Sequence, residues 1–350
     1  MHLASVTLKD IARKAGVSAM TVSASLHGTG RVSAEKSAKI KKIARQMGYQ
    51  PRVAAQLLSR KRSGQMGLLM TYCQSMSYED VPEAGYTAPV LASFVQVCEA
   101  RKQPYHIEYF MAKSNGDEFV PPRQLAGGLV DGAVVVGHPD ENLAHWLDDH
   151  CQSPLVYIDE PGEYSVHSAV DQGIYQAVTE LAAMGHRRIA YIGGPSRYMT
   201  HAIGYEGFRQ AIKAYSLHTT EADIIESAIS DMSACVAQYR PVIASWIKTA
   251  RRPTAVVVHS AVIARALIGL FLENGISIPK QMSLIAVAAC GDCKRTYPLL
   301  SGIEADYNAM LNASLGMLKR LVDHEELSEK QVNIMPRIQL RDTVCPPQNV

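Results

Sequence analysis

From residue 65 to about 345, short apolar runs alternate with stretches of helical periodicity, and this alternation limits the fold more than any other feature of the chain. The runs at 66–71, 105–110, 132–136, 155–158, 188–192, 255–258 and 283–287 have strand length and are mostly aliphatic. Helical patterns lie between them, as at 174–184, 205–215, 236–248 and 261–274. A parallel strand pair needs a crossover connection, so strands separated by helices predict doubly wound parallel sheets. Some 285 residues are too many for one such sheet. Two α/β lobes with a cleft between them are expected.

The first 64 residues follow another rule. Leu8, Ile11, Ala12 and Ala15 fall at the i, i+3, i+4, i+7 spacing of one helix face. Gly16 supplies a turn, Val17 can plug it, and Ser18 is a good N-cap for a second helix with Val22 and Leu26 inward. Two short helices joined by a turn of this length form a helix-turn-helix at 7–26. A third helix fits 33–47, with Ile40, Ile43, Ala44 and Met47 inward, Lys36, Lys39, Lys41 and Lys42 outward, and Gly48 as its stop. Pro51 suits the first turn of a further helix of about two turns, too short to persist alone. Residues 50–64 therefore read as a linker that becomes helical only when something holds it.

Charge divides the chain at the same place. Residues 1–64 hold thirteen Lys and Arg against Asp10 and Glu35, a net +11, while the other 22 basic and 31 acidic residues leave −9. A basic head on an acidic body is expected where only the head meets a polyanion. With 47% hydrophobic and 19% charged residues the composition is that of a globular protein. No run reaches the roughly 18 apolar residues of a membrane span, and the N-terminus has no basic region leading into an apolar one. A cytoplasmic location is expected. Seven irregularly spaced cysteines read as reduced thiols.

The stretch from Val6 to Ser23, with Thr7-Leu8-Lys9-Asp10-Ile11-Ala12 and Ala15-Gly16-Val17-Ser18, resembles the opening of the lactose-repressor (LacI/GalR) family. Arg31-Val32-Ser33 and Met47-Gly48-Tyr49-Gln50-Pro51 continue the likeness. So do Met184-Gly185-His186-Arg187-Arg188-Ile189-Ala190-Tyr191-Ile192-Gly193, Arg252-Pro253-Thr254 and Gly275-Ile276-Ser277-Ile278-Pro279. The resemblance implies a head at 1–50, a hinge at 51–64 and a periplasmic-binding-protein-like core at 65–350. It places an N-lobe at about 65–160 plus 292–325 and a C-lobe at about 161–291 plus 326–345, the chain crossing between lobes three times. It implies a homodimer on a double-stranded DNA operator of approximate two-fold symmetry, a small-molecule effector in the cleft, with a carbohydrate as one candidate, and no cofactor.

By family position the helix from Ser18 enters the major groove with Ala19, Met20 and Ala24 at base edges. Alanine and methionine make only apolar contacts, such as with thymine methyls, where many relatives carry an arginine at the place of Ala24. The operator should therefore differ from the common family half-site. Thr7, Leu8, Ser18, Thr21, Ser23, His27, Arg31, Tyr49, Arg52 and Ala55 complete the expected DNA-facing set. Leu58 falls where the family wedges a leucine into the minor groove. The same frame puts Thr71, Tyr72, His138, Asp159, Asp231 and Ser260 near the cleft. Three polar positions that hold sugar hydroxyls in relatives are changed, reading Ser260-Ala261, His201 to Glu206 without arginine, and Ala286-Val287-Ala288-Ala289. Cys290-Gly291-Asp292-Cys293 lies in an expected cleft loop. The alternative is thus a DNA-binding regulator that has lost sugar binding and answers to thiol or metal state, or to a protein partner. No Gly-x-Ser-x-Gly, phosphate-binding loop or metal-ligand cluster is present, so enzyme activity and a bound metal are not expected.

Overall fold

A computed structural model of the chain describes residues 7–27, 32–47, 62–72, 86–111, 119–227, 232–248 and 252–348. The expected linker helix, with Tyr49, Arg52, Ala55 and Leu58, lies outside the described residues, as do Arg31 and Asp231 and the side chain of His27. The chain divides into two compact units, Met1–Ser63 and Gly64–Val350.

Among its described residues the first unit holds three helices, α1 (Leu8–Ala15), α2 (Ala19–His27) and α3 (Ala34–Gln46). Thr7 and Asp10 form a capping box on α1, and Gly16 ends it at φ 67°, a backbone conformation that only glycine adopts without strain. Ser33 caps α3 by accepting from the Lys36 amide. Ile11, Ala12, Val22, Ile40 and Ala44 form the buried centre, with Leu8, Val17, Leu26, Ile43 and Met47 packed round it. One inward position was not anticipated. Ser25 is 2% exposed on α2 and donates to the Ser37 hydroxyl at 3.0 Å, a polar tie between α2 and α3.

The second unit contains two six-stranded sheets. The first is built from β1 (Met66–Tyr72), β2 (Tyr105–Met111), β3 (Gly132–Val136), β4 (Leu155–Ile158), β5 (Ser165–Ser168) and β11 (Gln331–Ile334), in the order β11-β5-β4-β3-β1-β2. The second is built from β6 (Ile189–Gly193), β7 (Ile224–Glu226), β8 (Ala255–Val258), β9 (Ser283–Ala288), β10 (Ser301–Glu304) and β12 (Arg337–Gln339), in the order β12-β10-β9-β8-β6-β7. All pairings are parallel except β10 with β12. In the first sheet, α4 (Thr87–Arg101) and α12 (Tyr307–Val322) cover one face through Phe94, Leu311, Leu315 and Leu318. The helices α5 (Arg123–Ala126) and α6 (Glu141–Asp149) cover the other through Leu125, Leu143 and Leu147. In the second sheet, α7 (Val170–Ala183) and α8 (Met199–Ala214) lie on one face. On the opposite face lie α9 (Met232–Lys248) and α10 (Ala261–Glu273). Strands buried on both faces have no polar side to show, which is why β3 and β8 read as unbroken valine-rich runs.

The strand pairings move all three expected lobe boundaries. β5 pairs with β4, so the first crossing falls after Ser168 and not at 160. β10 pairs with β9, so the second falls after Glu304 and not at 291. β11 pairs with β5 in the first sheet, so the third falls after Ile334 and not at 325. A chain leaves a sheet only at the end of a strand, and these three strands are short and partly polar. Among the described residues no helix is long and apolar enough to cross a membrane.

Candidate nucleic-acid interface and interlobe cleft

In the head, Ser18 begins α2 by accepting from the Thr21 amide at 3.1 Å, and the two hydroxyls lie 2.9 Å apart. Both sit at the helix end whose free N–H groups and positive dipole attract phosphate oxygens. Met20 projects from the same turn at 82% exposure, the most exposed large apolar side chain among the head's described residues. Ala19 stands beside it, half-buried and packed on the head's apolar centre, so only part of its methyl is available to a base. Ser23 and Ala24 are half-buried on α2, and Thr7 is exposed at the start of α1 beside half-buried Leu8. Lys9, Arg13, Lys14, Lys36, Lys39, Lys41, Lys42 and Arg45 are all exposed. Asp10, the one acid near them on α1, is held below the usual carboxylate range by Thr7 and then by Arg13. The head thus presents an apolar tip flanked by cations, an arrangement suited to phosphate neutralisation with methyl-group contact.

In the core, the carboxyl ends of both sheets meet. His138 follows β3, and its ring contacts edge-on that of Tyr198, which precedes α8, at 5.5 Å between centroids. Glu160 follows β4 and accepts from His138 Nδ1 at 2.9 Å. Asp159, at φ 55°, accepts from the Ser168 amide at 2.7 Å and from its hydroxyl at 2.8 Å. These bonds fasten the end of β5 at the first crossing. Burial raises the Asp159 carboxyl to about 6, against the lowering effect of Ser168. Burial likewise raises Glu160, with His138 opposing. The Tyr86 hydroxyl, at the start of α4, is pushed up by burial and then by the field of Asp159, the carboxyl that is its hydrogen-bonding neighbour.

On the C-lobe side two imidazoles lie 4.0 Å apart. His201 Nδ1 accepts from the Gly194 amide at 2.8 Å, so its proton is on Nε2. His259 Nε2 donates to the Thr200 carbonyl at 3.0 Å, leaving Nδ1 as an acceptor. Burial pushes His201 down to about 2, with His259 adding to the effect, and pushes His259 down to about 4. Both rings are neutral at physiological pH.

The expected cleft residues have unequal roles. Thr71 is buried and donates to the Gly137 carbonyl at 2.7 Å, tying β1 to the turn after β3. Ser260 caps α10 by accepting from the Val262 amide at 3.1 Å. Tyr72 is half-buried with its hydroxyl 2.9 Å from that of Thr87. Only His138 and Asp159 belong to the cluster, and Tyr86, Glu160, Tyr198, His201, His259 and Tyr307 are its unanticipated members. Glu160 could have been found beside Asp159 at the end of an apolar run. The others carry no spacing signal. Cys290 and Cys293 form the short helix α11 (Cys290–Cys293), where Cys290 is exposed and Cys293 is buried, its thiol pushed up by burial to about 12. A thiol so hard to ionise is a poor redox partner. Among the described residues, no group of three or more His, Cys, Asp or Glu is placed to hold a metal ion.

Residues 7–52 match the model described as bacterial regulatory proteins, lacI family, and residues 178–344 match that of the periplasmic binding protein-like domain. The HTH-type transcriptional repressor PurR of Edwardsiella ictaluri is 26% identical, covering 97% of each chain, and that of Klebsiella pneumoniae is 27% identical over the same shares. The Lac repressor dimer bound to operator and the anti-inducer ONPF superposes with TM-score 0.79 at 18% identity, covering 98% of this chain and 100% of that one. The transcriptional regulator CelR in complex with cellobiose superposes with TM-score 0.68 at 20% identity, covering 97% and 99%. An N-terminal helix-turn-helix and a two-sheet binding-protein core, matched together along nearly the whole chain, place this protein in the lacI family of bacterial regulatory proteins.

Proposed function

We propose that the chain is a sequence-specific transcriptional repressor of the cytoplasm, binding a two-fold operator as a homodimer and controlled by a small molecule in the interlobe cleft. The observation that carries this is the head itself. Its recognition helix is capped by Ser18 and tipped by Met20, and the two helices packed on it carry exposed lysines and arginines on an otherwise acidic chain. In the relatives, the same pairing of head and core belongs to repressors, one of them seen on its operator, and to a transcriptional regulator seen with cellobiose. Met20 and the exposed part of Ala19 read thymine-rich steps, Ser18, Thr21, Ser23 and Thr7 hold phosphates, and Leu58 of the linker enters the minor groove. A ligand that binds the open and closed core unequally shifts the spacing of the two heads, and operator affinity follows by linkage. The core has no catalytic role.

Operator selection from a random library, followed by titration at fixed salt, tests this. Selected half-sites should place thymine where relatives select guanine opposite an arginine. Met20→Ala should weaken the selected site by about 1–3 kcal/mol while leaving random DNA nearly unaffected. Recovery of no consensus, or equal losses on both DNAs, refutes sequence-specific reading by this helix.

A further inference from the structure

The cleft carries an unbalanced charge. Asp159 and Glu160 are each 7% exposed. Asp159 commits Oδ1 to Ser168, and its one other hydrogen-bonding neighbour among the described residues is the neutral Tyr86 hydroxyl. Glu160 commits Oε2 to His138, and Oε1 takes none. Among the described residues, His138 is the sole basic side chain paired with either. Two adjacent carboxylates withdrawn from water call for a counter-charge, because burial without one is costly.

The aromatic lining is a second observation. The Tyr86 hydroxyl is buried beside Asp159, its hydrogen-bonding neighbour, and lies in the field of both carboxylates. Its ring meets that of Tyr307 edge-on at 5.7 Å, and Tyr307 is itself in the field of Asp159 and of Asp292 from the C-lobe. Tyr198 closes the opposite side against His138. Aromatic rings grouped round buried carboxylates form a surface complementary to a positively charged organic group.

We propose that the interlobe cleft takes a small organic cation, with an ammonium or guanidinium group seated on the Asp159 carboxylate and Glu160 Oε1 and its carbon skeleton against Tyr86, Tyr198 and Tyr307. This rests on the cleft being the effector site, and it names the ligand's chemical class. A neutral sugar leaves the carboxylates uncompensated, and a sugar acid or phosphate adds to their charge. Tyr198 comes from one lobe and Asp159, Glu160 and Tyr86 from the other, so such a ligand touches both and distinguishes open from closed cores.

The test uses the full chain at pH 7.0 with probes of one skeleton and three charges: glucosamine, glucose and gluconate. Agmatine and putrescine serve as further cations, and binding is read by calorimetry and thermal shift. At least one cation should bind and raise the melting temperature, while glucose and gluconate do neither. Glu160→Gln keeps an acceptor for His138, and Asp159→Asn keeps one for Ser168. Each should weaken the cation by about tenfold or more, the loss of one charge-assisted contact. Binding of glucose or gluconate in preference to every cation, no response to any of the three cations, or cation binding unchanged in both variants overturns the proposal. Operator affinity in the same samples separates this result from the regulatory reading. A cation that binds through Asp159 and Glu160 without altering operator affinity upholds the ligand class and refutes control by the cleft. Unliganded operator binding with no cation response does the reverse for the ligand class alone.

Discussion

Replacing Asp159 by asparagine should stabilise the core at neutral pH, although it removes a buried hydrogen-bonding carboxylate. The carboxyl is 7% exposed, and burial lifts it from 3.8 to about 6. A carboxyl whose folded pKa exceeds its unfolded one binds its proton more tightly in the native state. That advantage is fully present below about pH 3.8 and is lost as pH rises through about 6, so at pH 7.5 the ionised side chain opposes folding. The displacement corresponds to about 3 kcal/mol. Asparagine is neutral at every pH, still accepts from the Ser168 amide and hydroxyl through Oδ1, and tolerates the left-handed backbone at φ 55°. For a unit of this size, about 3 kcal/mol is a rise in melting temperature of about 5 °C. Calorimetric melts of both proteins from pH 4 to 8 check it. The gap should be widest above pH 7 and close toward pH 4. A variant that melts lower at pH 7.5, or a gap that does not narrow on acidification, refutes the assignment of Asp159 as a carboxylate held at a cost to the fold. Retention of such a cost is expected where a charge serves binding.

Two further perturbations probe other parts of the molecule. His259 acts with the opposite sign, because burial lowers its folded pKa from 6.5 to about 4, so its contribution is present above about pH 6.5 and is lost as pH falls through about 4. His259→Gln, with an amide to reach the Thr200 carbonyl, should flatten the acid limb of the core's melting profile, and an unchanged slope between pH 6.5 and 4 counts against the neutral histidine pair. In the head, Ile40 is 1% exposed, and truncation to alanine removes about 2–5 kcal/mol. A core this small supplies only about 3–5 kcal/mol. Ile40→Ala should therefore weaken operator binding at least several-fold by depopulating the folded head, while the melt of 64–350 stays in place, and full operator affinity contradicts it.

The head was legible residue by residue because its signals are local. Thr7 with Asp10, Gly16 and Ser18 each dictate the conformation of their neighbours, and the Ile11, Val22, Ile40 grouping follows from helical spacing. Ser25 escaped because a serine on an inward face gives no apolar signal, and its partner Ser37 lies on another helix. In the core, strands with four or more aliphatic residues were visible, whereas β5, β10 and β11 are stabilised by their neighbours and not by their own composition. The missed lobe boundaries follow directly from those three. The cleft was hardest to read. Thr71 and Ser260 are polar residues at strand ends, as ligand contacts are, but their hydroxyls are occupied by backbone groups. The cluster that does assemble draws Tyr86, His138, Glu160, Tyr198 and Tyr307 from five separate places along the chain, and only the topology brings them together.

The three crossings after Ser168, Glu304 and Ile334 also bear on how the protein is made. The first five strands of the N-lobe sheet leave the ribosome before any of the C-lobe. One face of that sheet is covered by α4 and α12 together, and the α12 residues Met310, Leu311, Leu315 and Leu318 follow β10, almost the last strand of the C-lobe. At synthesis rates of about 5–20 residues per second, that apolar face waits about 7–28 s for the second of its two covering helices. The C-lobe, encoded almost without interruption between the first two crossings, can complete most of its packing first. A nascent chain of this design therefore finishes its middle before its beginning, and its earliest sheet is the part most in need of a chaperone.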